Sequence, residues 1–229
     1  MLILALESSA SPASVAVCSG KELLGLYYQN TGLTHSRTLL AMAESLLRNL
    51  GIPVADVGLF AVARGPGSFT GVRIGVAAAK GLAWGAGRPA CGVSTLEAMA
   101  LQAPVPGSML CPVMDARRGQ VYNALFTWRD GALVRLCDDR AISLEELAAG
   151  LKPRAANGPV LLFGDGAVAA YKFLSSSGIG CALVPELQRN QTAYGVALAA
   201  LAAKTAPASE LEPFYLRPPQ AEREKRKNL

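Results

Sequence analysis

Charge is scarce in this sequence. Only 17% of its 229 residues are Asp, Glu, Lys or Arg, against 51% hydrophobic, a balance that excludes a disordered chain and calls for a sizeable core. Histidine is almost missing: His35 is the only one, so no cluster of imidazoles can hold a metal ion. Cysteine is sparse and without pattern. Cys18, Cys91, Cys111, Cys137 and Cys181 are odd in number, widely separated and never spaced as CxxC, which argues against a disulfide framework or a zinc site and leaves buried free thiols as the expectation. No apolar run reaches bilayer-spanning length without a charge or several prolines, and Met1 to Glu7 lacks the basic flank of a signal peptide. A cytoplasmic chain with no membrane contact is expected.

The formal charge is +5, and Gln220 to Leu229 alone hold four Lys or Arg against two Glu. A mixed-charge run following Pro218-Pro219 reads as a solvated terminus in preference to an RNA-binding arm.

What the chain does have is alternation of strand and helix patterns. Leu2 to Leu6, Ser14 to Cys18 and Glu22 to Tyr28 are spaced as a three-stranded meander. In His35 to Leu50, Leu39, Leu40, Ala43, Leu46, Leu47 and Leu50 recur at helical spacing, with Thr34 as N-cap and Gly51 as the stop. A strand over Leu59 to Ala63, a helix over Thr70 to Trp84, a strand over Ala90 to Val93 and a helix over Thr95 to Leu101 follow. Ser94 and Glu97 read as a capping box for the last of these. The second half repeats the theme. Strands are expected over Met109 to Met114, Val121 to Trp128, Ala132 to Leu136 and Val160 to Phe163, with helices over Leu144 to Leu151, Ala167 to Leu174 and Ala193 to Lys204. Ala103-Pro-Val-Pro-Gly107 interrupts both periodicities. The expected division is an α/β lobe over 1–103, a second over 104–219 and a charged tail over 220–229. Two lobes of this order match the duplicated, ribonuclease H-like layout of the actin, Hsp70 and sugar-kinase superfamily, which periodicity alone does not separate from other α/β folds.

The loop Gly65 to Gly71 joins a strand to a helix, where backbone N–H groups can cradle an anion. It satisfies neither nucleotide motif. Gly71 is followed by Val72 where a P-loop has Lys, and the glycine spacing misses the dinucleotide fingerprint by one residue. In the next helix Gly71, Gly75, Ala79 and Ala83 form a stripe almost without side chains, suited to a close backbone approach either by the protein's own sheet or by a partner. Arg73, Ile74, Ala77 and Lys80 lie on its other faces.

Gly65 to Ala83 resembles the hallmark segment of the TsaB (YeaZ) family. Leu4-Ala-Leu-Glu-Ser-Ser9, His35-Ser-Arg-Thr-Leu-Leu40, Met114-Asp-Ala-Arg-Arg-Gly119 and Phe214-Tyr-Leu-Arg217 are similar to its other landmarks and stand in family order. The resemblance implies a non-catalytic subunit in the synthesis of threonylcarbamoyladenosine beside the tRNA anticodon. Such a subunit pairs with a TsaD-type enzyme, with a TsaE-type ATPase and tRNA joining the assembly. The implied partner interface is His35, Leu39, Gly71, Arg73, Ile74, Gly75, Ala77, Ala79 and Lys80, which would make a homodimer when the chain is alone. No cofactor is expected on this chain by itself; ATP and metal are expected on the TsaD partner.

TsaD, a paralogue, has a His-Leu-Glu-Gly-His segment that binds metal. Thr95 and Met99 stand here at the two histidine positions, and a hydroxyl with a thioether makes a poor ligand pair. Glu7, Ser9 and Asp165 are weak candidates for a ligand. Glu7 ends the first strand where related kinases place a metal-linked carboxylate, but Pro12 and the missing glycine pair favour a structural relic. Asp165, in Gly164-Asp-Gly166, reads more simply as the cap of the next helix. Asp115, Arg117 and Arg118 sit at a turn as an ion-pair knot or a partner contact. The competing reading is a stand-alone enzyme, a sugar-kinase-like ATPase or a metalloprotease, and the absent ligands and phosphate loop weigh against it.

Overall fold

The computed structural model describes residues 1–154, 158 and 160–217. The charged tail proposed for 220–229, and the last two residues of the second lobe, lie outside them.

Strand β1 (Leu2–Glu7) pairs antiparallel with β2 (Ala13–Ser19), which pairs antiparallel with β3 (Glu22–Gln29). Helix α1 (His35–Leu50) leads to β4 (Leu59–Ala63), helix α2 (Phe69–Gly85) to β5 (Ala90–Val93), and helix α3 (Thr95–Leu101) closes the first half. Parallel pairing of β1 with β4 and β4 with β5 completes a sheet of order β3-β2-β1-β4-β5. The second sheet is built from β6 (Met109–Asp115), β7 (Gln120–Arg129), β8 (Ala132–Ser143), β9 (Val160–Phe163) and β10 (Cys181–Leu183) in the order β10-β9-β6-β7-β8. Its helices are α4 (Leu144–Leu151), α5 (Ala167–Ser176) and the single turn α6 (Glu186–Arg189); α7 (Ala193–Ala200) follows.

Because β1 is covered on both faces, it is apolar at successive positions without alternating. Leu4 and Leu6 face α1 and α2, packing with Leu39, Leu46, Val72 and Val76; Ile3 and Ala5 face the opposite way, against Ala98 of α3 and Val196 of α7. In the second sheet Cys111 and Val113 pack on Leu147 and Leu151 of α4 and on Ala170 and Leu174 of α5. Leu110, Met114 and Phe126, on the other face, pack on Leu96 and Met99 of α3. Helix α3 thus touches both sheets and joins the two lobes at their cores. Each apolar side chain buried in this way stabilises the fold by ~1.5–3 kcal/mol.

Three expectations are corrected. The lobes do not divide at 103/104 for the whole chain: α7 packs on the first sheet, and Leu211 joins that sheet's α2-side core. Strand β8 runs on to Ser143 instead of stopping at Leu136, because it stays paired with β7 as far as Gln120 opposite Ser143, with Arg135 bonded to Asp139 and Arg140 to Asn123 along the way. Helix α7 ends at Ala200, four residues early, while α6 and the three-residue β10 were too short to carry a period. Thr34 stands at the N-cap position of α1 without a side-chain capping bond; Gly51, left-handed at φ 67°, does end that helix.

Candidate functional site

The loop Gly65–Gly71 is bound to its own fold. Ser68 N–H donates to the Ser9 carbonyl at 2.6 Å, Ser8 Oγ donates to the Gly71 carbonyl at 2.9 Å, and Thr95 N–H donates to the Gly65 carbonyl at 3.0 Å. Ser68 caps α2 by accepting from Gly71 N–H at 3.3 Å. A Cβ at Gly67 would strike the Ser9 carbonyl, one at Gly71 the Ser8 carbonyl, and one at Gly75 would lie 2.5 Å from Ser8 Oγ. These glycines let α2 and its loop sit directly on the β1–β2 turn.

That corrects the reading of the small-residue stripe. Gly71, Gly75, Ala79 and Ala83 are buried against the first sheet, and Leu39 is buried in the same core, so Gly71, Gly75, Ala79 and Leu39 offer no side-chain surface to a partner. Of the other expected interface residues, Arg73 and Ala77 are exposed, and His35, Ile74 and Lys80 are half-buried. His35 is tied inward, its Nε2 donating to the Ala10 carbonyl at 2.7 Å.

The outer surface of α1 and α2 carries large apolar side chains instead. Leu33, just before α1, is 55% exposed, Leu40 on α1 is 50% exposed and Trp84 near the end of α2 is 83% exposed. Isolated exposed apolar residues are ordinary; here Leu40 and Trp84 lie on two helices that touch each other, with Leu33 just before the first. The helical period placed Leu40 and Trp84 on their helices; nothing in the spacing marked them as outward.

Between the lobes lies a cleft of about 330 Å³, walled by Ser9, Ser68 and Thr70 from the first lobe, Asp115 and Asp165 from the second, and Phe214–Arg217. Two residues before Ser9, Glu7 is fully buried, with Oε1 accepting from Ser9 N–H at 2.6 Å and Oε2 without a hydrogen bond. Burial, opposed by hydrogen bonds from Ser9, pushes its carboxyl up to about 7. Asp165 is likewise held above the ordinary carboxylate range, by desolvation first and then by Asp115. Asp165 does not cap α5, whose N-cap is Gly166. Its Oδ1 accepts from Asp115 N–H at 3.2 Å, joining two strand ends across the cleft floor. Asp115 also accepts from Arg117 N–H at 2.7 Å and pairs with the Arg117 guanidinium at 3.5 Å on an exposed turn. Of the three candidates, Ser9 and Asp165 line one cleft, and Glu7, buried two residues before Ser9, feels the Asp165 charge without lining it. The cleft lining carries both signs, Asp115 and Asp165 facing Arg117 and Arg217, and it contains no lysine.

Thr95 and Met99 are fully buried on α3. Their hydroxyl and thioether do not fit a metal centre, and among the described residues no three His, Cys, Asp or Glu side chains gather to hold one. The capping box is half present. Ser94 Oγ accepts from Glu97 N–H at 3.2 Å, but the Glu97 carboxylate turns away to Arg135 at 2.7 Å. Arg135 also bonds Asp139 at 2.6 Å and stacks 4.6 Å from the Phe126 ring centroid, while Ser94 Oγ donates to Asp139 at 2.6 Å. This group pins α3 to β8. A long sequence separation hid Arg135 and Asp139 from any local reading.

Residues 25–221 match the family described as TsaD, tRNA N6-adenosine threonylcarbamoyltransferase. A Bacillus subtilis protein named tRNA threonylcarbamoyladenosine biosynthesis protein TsaB is 35% identical over 164 residues, 72% of this chain and 71% of that protein. A Haemophilus influenzae protein of the same name is 30% identical over 236 residues, covering 95% of this chain and 94% of its own. This chain belongs to the TsaB family. The structure named YeaZ from Pseudomonas aeruginosa superposes on this TsaB-family chain with a TM-score of 0.79 at 25% identity, covering 94% of it and 99% of the other. A ROK hexokinase from Thermus thermophilus, at a TM-score of 0.50 and 14% identity over 89% of this chain and 98% of its own, shares the two-lobed α/β fold alone. Among the described residues of the TsaB-family chain, no helix is long and apolar enough to cross a membrane.

Proposed function

We propose that this chain acts in tRNA threonylcarbamoyladenosine biosynthesis as a non-catalytic subunit that binds and supports a TsaD-type threonylcarbamoyltransferase. The observation that carries the reading is the exposure of large apolar side chains on two touching helices, Leu40 on α1 and Trp84 on α2, with Leu33 just before α1 and with Arg73, Ala77 and Lys80 elsewhere along α2. An exposed apolar surface edged by cations suits a protein partner better than a small ligand. Buried Thr95 and Met99 support the non-catalytic part, since the two imidazoles of a metal-binding segment have no equivalents here. ATP and metal then belong to the TsaD partner, with a TsaE-type ATPase and tRNA joining the assembly, and the same helix faces make a homodimer when no partner is present. The chain works in the cytoplasm, where tRNA is.

Co-purification with a TsaD-type partner, followed by tRNA modification assays with and without this chain, tests the reading. A stable complex and modification that depends on this chain are expected. Measurable ATP turnover by the chain alone, or stoichiometric metal bound to it, would instead support a stand-alone enzyme.

A further inference from the structure

Phe214–Arg217 crosses the cleft from one lobe to the other. We propose that this segment is a strap that holds the cleft closed, anchored firmly on the first lobe and latched to the second by Arg217.

The first-lobe end is held by several contacts. Phe214 N–H donates to the Arg64 carbonyl at 2.7 Å, just beyond β4. The Tyr215 ring lies 5.0 Å from that of Phe69, and its hydroxyl accepts from Arg73 Nε at 2.8 Å. Arg73 in turn sits over Phe69 at 3.9 Å from the ring centroid, so a cation and two aromatic rings form one stack on the start of α2. Gly65 has φ +121°, and a Cβ there would strike the Phe214 carbonyl. Glycine at this position is what lets the strap lie on the loop.

The second-lobe end is held differently. Arg217 Nη1 donates to the Ala116 carbonyl at 3.1 Å, in the turn between β6 and β7. Among the described residues this is the segment's one side-chain hydrogen bond to the second lobe, against two hydrogen bonds and the aromatic stack on the first. A hinged lid needs that asymmetry: one end stays seated while the other opens. A hydrogen bond with a charged donor shifts such an equilibrium by roughly tenfold or more. With the latch released, the cleft wall formed by the strap swings away and opens the space between Ser9, Ser68, Asp115 and Asp165. Helix α3 meanwhile keeps the lobes joined through its contacts with both sheets. The proposal stands on these contacts and does not depend on the identity of any partner.

Hydrogen–deuterium exchange of the full chain tests it, comparing wild type with Arg217→Gln, which keeps the side chain's length but loses the guanidinium. Exchange in peptides covering 9–11, 66–70 and 114–120 is expected to speed up by roughly tenfold, with the central strands β1 and β9 unchanged. Tyr215→Phe, which removes only the hydroxyl that accepts from Arg73, gives the second arm. It should accelerate 214–217 and, through the loosened strap, 114–120 in the other lobe. Protection at 114–120 equal to wild type in both variants would overturn the proposal. So would acceleration spread evenly over the chain, which would make the segment an ordinary part of the core.

Discussion

Ser8 and Gly71 are locked face to face: the Ser8 hydroxyl donates to the Gly71 carbonyl at 2.9 Å, and the Ser8 carbonyl fills the space a Gly71 side chain would need. The glycine-rich segment is therefore a packing device, holding α2 on the turn that ends β1. Gly71→Ala should cost about 2–4 kcal/mol, since backbone cannot move aside as a flexible side chain can. Gly75→Leu, at 2.5 Å from Ser8 Oγ, should unfold the chain before it reports on any partner. Urea unfolding checks both, with Ala77→Ser on the exposed side of α2 expected to change stability by less than about 0.5 kcal/mol.

How far the sequence reaches is clear from this segment. Helical spacing placed the stripe Gly71, Gly75, Ala79 and Ala83 on one face, and strand and helix patterns delivered most elements within a residue or two. Which way the stripe faced depended on Ser8, 63 residues away, and local patterning carries no such information. The same holds for Arg135, whose partner Glu97 is 38 residues distant, and for Arg217, whose contact at Ala116 is 101 residues away. Glu7, Ser9 and Asp165 were identifiable singly, from strand ends and turns. That Ser9 and Asp165 line one cleft follows from the parallel pairing of strands within each lobe and the joining of the lobes by α3.

Stability should fall as pH rises through the range set by Glu7. Its folded carboxyl titrates at about 7, above the ~4.3 of an unfolded glutamate. Between those values the folded state holds the proton more tightly, so the contribution is complete below the unfolded value and lost by about pH 7. The loss should approach ~3 kcal/mol. Glu7→Gln, which keeps an acceptor for Ser9 N–H, should flatten the dependence. Urea unfolding at intervals from pH 4.5 to 8 compares the two curves, and parallel curves would remove Glu7 as the source.

Arg135→Ala should destabilise the chain by about 1–3 kcal/mol, because it takes the charged partner from Asp139, leaving that carboxylate the Ser94 hydroxyl, and removes the stack on Phe126. Asp139→Asn should cost less, and the double variant less than the sum, in a double-mutant cycle read by thermal unfolding. Additive effects would mean that Arg135 and Asp139 act independently.

Thiol chemistry should separate the cysteines into two groups. Cys18, Cys91 and Cys111 are buried, and burial pushes the first two thiols up to about 11 and the third to about 12, so none should react in the native chain at neutral pH. Cys137 and Cys181 are partly exposed and should be labelled first. Mass spectrometry after brief alkylation would show two modified sites, with the other three appearing only on unfolding.

The central claim is that the outer face of α1 and α2 binds a TsaD-type partner. Its most direct test is the affinity of that partner for wild type and for Trp84→Glu, measured by isothermal titration with the melting temperatures compared in parallel. Trp84 is 83% exposed, so the substitution should leave folding intact while weakening the complex at least tenfold, or by about 1.4 kcal/mol or more. Undiminished affinity in Trp84→Glu, repeated in Leu40→Glu, would contradict the account.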